Sequence, residues 1–388
     1  MIKRDISPIL LEVSTYFPVI TVTGPRQSGK TTLIKNAFPN LPYALLETPQ
    51  IKARATDDPK GFLDKYPNGA ILDEVQNVPE LFSYIQGIVD DNDEITFILS
   101  GSQNFLLVDK INQTLAGRVA VLNLLPFTLG ELTTGGYTLK DSMGFIFKGG
   151  YPRLFLKKIP PHIYYSNYIR NYLERDVRTI KNIGDLNTFK TFMELCAGRT
   201  GQILNIDSLA SDAGVALNTA KSWLSILEAS FIIYQLRPHH KNYNKRLIKR
   251  PKLYFYDTGI ACFLLNIQSQ TQLESHFLRG ALFENMVINQ FTKFALNKAL
   301  SPSLYFWRNN HGKEIDCIID RGEKLIPIEI KSGKTYTKDF FKGLNYWNKL
   351  SGQDPDHSFV VYGGDMNEKL PQGNLVSWDN LKAIMSKI

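Results

Sequence analysis

Cysteine is nearly absent: Cys196, Cys262 and Cys317 are too few and too scattered along 388 positions for a disulfide framework or a thiolate metal site. A reducing compartment follows, and a cytoplasmic setting is expected. Long apolar runs are missing as well. None approaches the roughly 20 residues that cross a bilayer, and residues 1–20 are interrupted by Asp5, Pro8, Glu12 and Pro18, so neither a membrane protein nor a secreted one is expected. Low-complexity linkers and internal repeats are lacking, and Gly at 27 and Pro at 19 exclude a collagen-like or wholly disordered chain. Acidic residues are absent from one stretch in particular. Residues 237–252 (RPHHKNYNKRLIKRPK) carry Arg237, Lys241, Lys245, Arg246, Lys249, Arg250 and Lys252 with no Asp or Glu, which accounts for nearly all of the chain's net +8.

Single cores stop growing near roughly 250–300 residues, so two or three domains are expected. Residues 18–23 form a β-branched run that ends in a Gly/Pro loop and leads into a helix-like segment, 31–36. Further β-rich runs at 43–47, 69–73, 94–100 and 119–125 are separated by segments long enough for crossover helices, the rhythm of a parallel α/β sheet. Residues 162–181 have helical periodicity after the Gly149-Gly150-Tyr151-Pro152 break. Residues 186–259 read as three short helices and then strands, a helix-turn-helix with a wing, with Gly214 ending one helix and Asn218 capping the next. The last third has an amphipathic helix near 282–293, strands at 304–307, 315–319 and 325–331, a helix near 336–349 and a strand at 357–362. The expected domains are therefore 1–148, a helical connector at 149–185, a winged helix-turn-helix at 186–270 and an α/β domain at 271–388.

Gly24-Pro25-Arg26-Gln27-Ser28-Gly29-Lys30-Thr31-Thr32 matches G-x-x-x-x-G-K-[ST] between a strand and a helix, where that motif must sit. Its backbone N–H groups and the helix dipole suit the phosphates of ATP, Lys30 suits the β- and γ-phosphates, and the Thr31 hydroxyl suits Mg²⁺. The strand at 69–73 ends in Asp73, a second Mg²⁺ ligand, and Glu74, the base for the attacking water. The strand ending at Ser100-Gly101-Ser102 places either serine near the γ-phosphate; both are equally suited to a turn. Arg118 stands where ring-forming P-loop ATPases supply a charge to a neighbour's γ-phosphate, and a surface salt bridge is the alternative.

On these residues the chain resembles the large family of prokaryotic AAA+-type P-loop ATPases with a C-terminal domain of unknown function. The matching stretches are GPRQSGKTTL (24–33), AILDEVQ (70–76), FILSGSQNFLL (97–107), LAGRV (115–119), LLPFTLGEL (124–132), GGYPRL (149–154) and NYLERDVRTI (171–180), with FEN (283–285), EIDCII (314–319) and PIEIKSGKT (327–335) beyond them. The resemblance implies a sheet whose sensor strand lies between the phosphate-loop and acidic-pair strands. A lid, a winged helix and a nuclease-like domain follow.

A winged helix presents its second helix to a groove, so Asn218, Lys221 and Ser222 would face DNA while Lys241, Lys245, Arg246, Lys249 and Arg250 meet phosphates, with His239, His240 and Tyr243 among them. The alternative is a packing module with a solvated hairpin. Glu284, Asp316, Glu329 and Lys331 reproduce the E…D…E-x-K order of the PD-(D/E)xK nuclease superfamily. Alternation puts Glu329 and Lys331 on one strand face, where Asp316 and Glu329 would bind Mg²⁺ and Lys331 would orient water. The same pattern also suits an amphipathic strand pair with solvent-facing charges.

The function expected is a Mg²⁺-dependent ATP hydrolase that acts on DNA as a motor or remodeller and assembles as a homo-oligomer. The alternatives are an ATP-dependent switch or DNA-binding protein with an inactive nuclease-like domain, and an ATP-gated nuclease. No zinc and no organic cofactor beyond ATP are expected.

Overall fold

The structure, a computed structural model, describes residues 2–101, 114–177, 185–239 and 249–387. Ser102, His240, Lys241, Tyr243, Lys245 and Arg246 lie outside them. Among the described residues the first domain is a five-stranded sheet in the order β2-β3-β4-β1-β5. The strands are β1 (Val19–Thr23), β2 (Tyr43–Leu45), β3 (Ile71–Asp73), β4 (Phe97–Gly101) and β5 (Val119–Asn123). Every pairing is parallel, and the sensor strand β4 does lie between β1 and β3. β1 and β4 are buried at every position, as a parallel sheet covered on both faces requires. One apolar cluster covers each face, around Leu72, Phe82 and Leu99 on one and Ile20, Ile34 and Ile98 on the other.

After β5 the chain turns through Pro126–Thr128 into a short helix, Leu129–Thr134, closed by a reciprocal capping box between Thr128 and Glu131. The connector helix Pro161–Asn171 follows, continued by a π-helical turn, Tyr172–Val177. The three helices of the middle region are Leu186–Ala197, Ile206–Asp212 and Leu217–Ala229. Asn218 does not cap the last of these: Ala216 holds the cap position and makes no side-chain bond, and Asn218 is the helix's second residue.

The antiparallel hairpin of β6 (Ile233–Pro238) and β7 (Lys252–Phe255) follows. It does not stand apart as a free wing. Arg237 and Pro238 of β6 pair in parallel with Tyr305 and Phe306 of β8 (Leu304–Arg308), so the hairpin is the end of a sheet that crosses residue 270. That sheet runs β12-β13-β11-β10-β9-β8-β6-β7, with β9 Glu314–Asp320, β10 Leu325–Lys331, β11 Phe359–Tyr362, β12 Glu368–Leu370 and β13 Gly373–Ser377. One buried cluster reaches from Phe127 through Tyr165, Phe192, Trp223 and Phe283 to Ile384. The connector, middle region and last third therefore share a core.

Two residues bolt the connector to this core. The buried Asp257 carboxylate accepts from the Gly150 N–H at 2.7 Å and the Tyr165 hydroxyl at 2.7 Å. Gly149 (φ 72°) has no room for a Cβ, which would collide with both the Asp257 carboxylate and the Tyr165 hydroxyl.

Candidate functional site

Residues 24–29 curl between β1 and the helix Lys30–Ala37, with Gly24 at φ 143° and Gly29 at φ 99°. A Cβ at Gly24 would strike the Leu124 carbonyl, so the motif's first glycine is required by the close passage of the chain after β5. Lys30 Nζ donates to the carbonyl oxygens of Gly24 and Pro25, at 2.9 Å each. The Ser28 hydroxyl is buried and makes no hydrogen bond among the described residues.

β3 brings Asp73 to the same point. Thr31 Oγ1 donates to Asp73 Oδ2 at 2.6 Å, and the Ser100 hydroxyl at the end of β4 donates to Asp73 Oδ1. Thr31, Asp73 and Ser100, dispersed over about 70 residues, are thus joined by direct bonds. Glu74 is a non-glycine residue at φ 55°, a left-handed conformation that such side chains adopt at a cost of order 1–3 kcal/mol and that concentrates at functional sites. Gln76 Nε2 donates to Glu74 Oε2 at 2.5 Å and Asn77 Nδ2 to the Glu74 carbonyl at 2.9 Å, bonds that hold the turn.

Arg118 takes the surface arrangement: its guanidinium pairs with Asp90 through two nitrogens, Nη2 at 3.0 Å from Oδ2, and both side chains are over a third exposed.

Two residues of this site carry no signal in the sequence. Tyr43 donates to Asp73 Oδ2 at 2.9 Å, and burial with the Asp73 charge pushes its phenol well above its usual value. Arg4 holds the phosphate loop from behind, Nη1 donating to the Ser28 carbonyl at 2.9 Å. Each reaches the loop from a distant element, so no local pattern marks it.

The second cluster includes partners that its residue order does not contain. Glu284, on the helix Arg279–Leu296, accepts from Lys252 Nζ at 2.9 Å and from the Tyr254 hydroxyl, both on β7. Lys252 also pairs with Glu314 of β9. Lys331 pairs with Glu329 and lies 3.6 Å from Asp316; Asp316 Oδ2 accepts from the Ile330 N–H at 2.7 Å. Burial alone would lower Lys252, but the carboxylates of Glu284, Glu314 and Asp316 outweigh it and hold its pKa above the usual value. Burial pushes Glu284 up to about 7 against the pull of Lys252, and burial with Asp316 pushes Glu329 up to about 8. Lys331 thus stands beside Asp316 and Glu329, the pair expected from the sequence to hold Mg²⁺, and Lys252 beside Glu284 and Glu314. Among the described residues no three His, Cys, Asp or Glu side chains are grouped to hold one metal ion.

On the DNA side, Asn218 and Lys221 are exposed one helical turn apart, Ser222 is half-buried, and Lys249 and Arg250 are exposed. His239 is not with them: it is buried, its Nε2 3.0 Å from Asp320 Oδ2. Trp307 is a core residue edge-on to Trp347.

Residues 16–133 match the AAA domain family. The first third is a P-loop ATPase domain. Residues 140–271 match a family described as a domain of unknown function (DUF8612), and residues 279–381 match another so described (DUF4143). Over 338 residues the chain is 29% identical to an uncharacterized protein of Mycobacterium tuberculosis and to one of Mycobacterium bovis, covering 86% of this chain and 74% of each relative. Among solved structures, a Walker-type ATPase of Pyrococcus abyssi is similar at a TM-score of 0.48 and 16% identity, over 68% of this chain and 96% of that one. Domain III of the replication initiation protein DnaA of Thermotoga maritima is similar at 0.25 and 13%, over 58% and 93%. No described helix is long and apolar enough to cross a membrane.

Proposed function

We propose that the chain is a Mg²⁺-dependent ATP hydrolase that acts on DNA as a motor or remodeller, and that it works as a homo-oligomer. The observation that carries the ATP half is the bond from Thr31 to Asp73 beside the strained Glu74. The hydroxyl and carboxylate that would hold Mg²⁺ share one point, the buried Ser28 hydroxyl is left without a partner among the described residues, and Lys30 can exchange two carbonyls for phosphate oxygens. These residues fit MgATP. The bound ion would draw charge from the β- and γ-phosphate oxygens. Glu74 then takes the proton of the attacking water, Ser100 fixes the Asp73 carboxylate, and Tyr43 holds its other oxygen.

The DNA half is supported by the exposed Asn218 and Lys221 on the second helix of a helix-turn-helix and by the acid-free basic stretch that ends at Lys252. In the oligomer Arg118 would exchange Asp90 for the γ-phosphate of the adjoining subunit. The lysines paired to Glu284, Glu314 and Glu329 favour a nuclease-like domain that holds DNA without cutting it. The test is DNA binding by Glu74→Gln, which holds ATP without turning it over, measured with and without ATP on duplex and four-way-junction DNA. Nucleotide-dependent affinity is expected; equal affinity in both states would contradict coupling between ATP and DNA.

A further inference from the structure

An open cavity of about 660 Å³ lies between residues 201–205, the start of β7 and the adjoining ends of β8 and β9. Lys249, Arg250 and Lys252 line it beside Asn205, with Arg308 at the end of β8 and Glu314 at the start of β9. Its single carboxylate is already neutralised: Glu314 pairs with Lys252 and, at 3.1 Å, with Arg308 Nη1. Lys249 and Arg250 are exposed and make no ion pair among the described residues. The Arg308 guanidinium is more than a third exposed, and its buried Nε makes no hydrogen bond among the described residues. With Lys252 buried and held by Glu284 and Glu314, the exposed Lys249 and Arg250 and the partly exposed Arg308 guanidinium face the groove against one satisfied carboxylate and make it a polyanion surface.

We propose that this groove is a track for a nucleic-acid backbone, with Arg308 as a phosphate contact that the winged-helix reading does not contain. The inference rests on the DNA-acting reading and gives it a path. A strand in the groove passes Lys249 and Arg250 and is gripped by Arg308, above the buried Lys252. Lys252 bonds Glu314 in the groove and Glu284 in the acidic cluster behind it. Phosphodiester is the chemistry recognised, since planar, forked guanidinium donors suit phosphate oxygens and no base-reading pocket is needed. A paired Glu314 keeps Arg308 oriented in the absence of ligand.

The test is fluorescence anisotropy of the full chain with labelled single-stranded DNA, duplex DNA and RNA of one length, as a function of salt. Arg308→Gln, Lys249→Ala/Arg250→Ala and Lys221→Ala are compared at matched melting temperature. Arg308→Gln is expected to weaken binding about tenfold at low salt and to lower the log–log salt slope by about 0.9 for each phosphate it ceases to neutralise. The Lys249/Arg250 pair is expected to lower it by about twice that. Wild-type binding that Lys221→Ala weakens and Arg308→Gln leaves unchanged would overturn the groove and leave the DNA reading intact. RNA bound in preference, with the same dependence on Arg308, would support the groove and overturn the DNA reading. No binding of any strand at low salt would overturn both.

Discussion

The Arg4 guanidinium reaches 24 residues forward to donate to the Ser28 carbonyl at 2.9 Å, inside the phosphate loop. Its other nitrogens donate to Glu131 Oε1 at 2.9 Å and the Leu125 carbonyl at 2.6 Å. The 125–129 turn so gripped is also held from the other side. Lys293 Nζ donates to the Phe127 carbonyl at 3.0 Å, and the Leu129 N–H donates to Gln290 Oε1 at 2.8 Å. Both come from the helix Arg279–Leu296, which carries Glu284 nearer its start. A chain of buried polar contacts therefore runs from the phosphate loop to the helix of the second cluster.

Arg4→Ala should be strongly destabilising. It strips a buried carboxylate of its cation and leaves two buried carbonyls unpaired, a loss of about 3–5 kcal/mol. Urea unfolding measures it, and a loss under about 1 kcal/mol would mean that water replaces the guanidinium.

In the hydrolytic site, Glu74→Gln should lower kcat by about 10²–10⁴-fold with nucleotide binding retained, as loss of a general base does. Lys30→Ala should lose binding itself. The two are separated by measuring nucleotide affinity and single-turnover hydrolysis on the same preparations.

Arg118 gives a subunit-mixing prediction. If it serves a neighbouring site, Arg118→Ala and Glu74→Gln are each inactive alone, and mixed oligomers regain activity because some sites join an intact Glu74 to a partner's intact Arg118. Mixtures no more active than either parent would leave Arg118 as the partner of Asp90.

Lys293 predicts a pH dependence. Burial lowers its pKa to about 8, against the attraction of Asp257 and Glu131 and with the repulsion of Arg4. The unfolded chain keeps an ordinary lysine near 10.4, so between the two values the unfolded state binds the extra proton and stability rises with pH. At pH 7 the buried ammonium costs about 3 kcal/mol of stability relative to an unshifted lysine, a cost relieved progressively through that window. Wild-type stability measured against Lys293→Met should therefore rise from pH 8 to pH 10, and a flat difference would contradict the account.

How much of this is legible in the sequence depends on sequence separation. The phosphate loop is nine consecutive residues whose glycines, lysine and threonine act through the backbone next to them, and it reads directly. So does the strand ending in Asp73 and Glu74, since burial on both faces leaves a continuous apolar run. Glu284, Asp316, Glu329 and Lys331 are legible by order, but Lys252 reads as part of a solvated basic run. It is 3% exposed, because the hairpin that carries it joins the C-terminal sheet and turns its ammonium toward acids 32 and 62 residues away. The same pairing hides β7, four residues at the end of a basic stretch. Arg4 and Lys293 carry no local pattern, since their meaning lies in carbonyls supplied by other elements.

The most direct test of the account is steady-state ATP hydrolysis with Mg²⁺, in low salt, alone and with single-stranded, duplex and four-way-junction DNA, with Lys30→Ala and Glu74→Gln as controls. Hydrolysis stimulated several-fold by one DNA form and abolished in both variants is the result the account predicts. Hydrolysis that no DNA form alters, where basic surfaces bind polyanions most tightly, would contradict it.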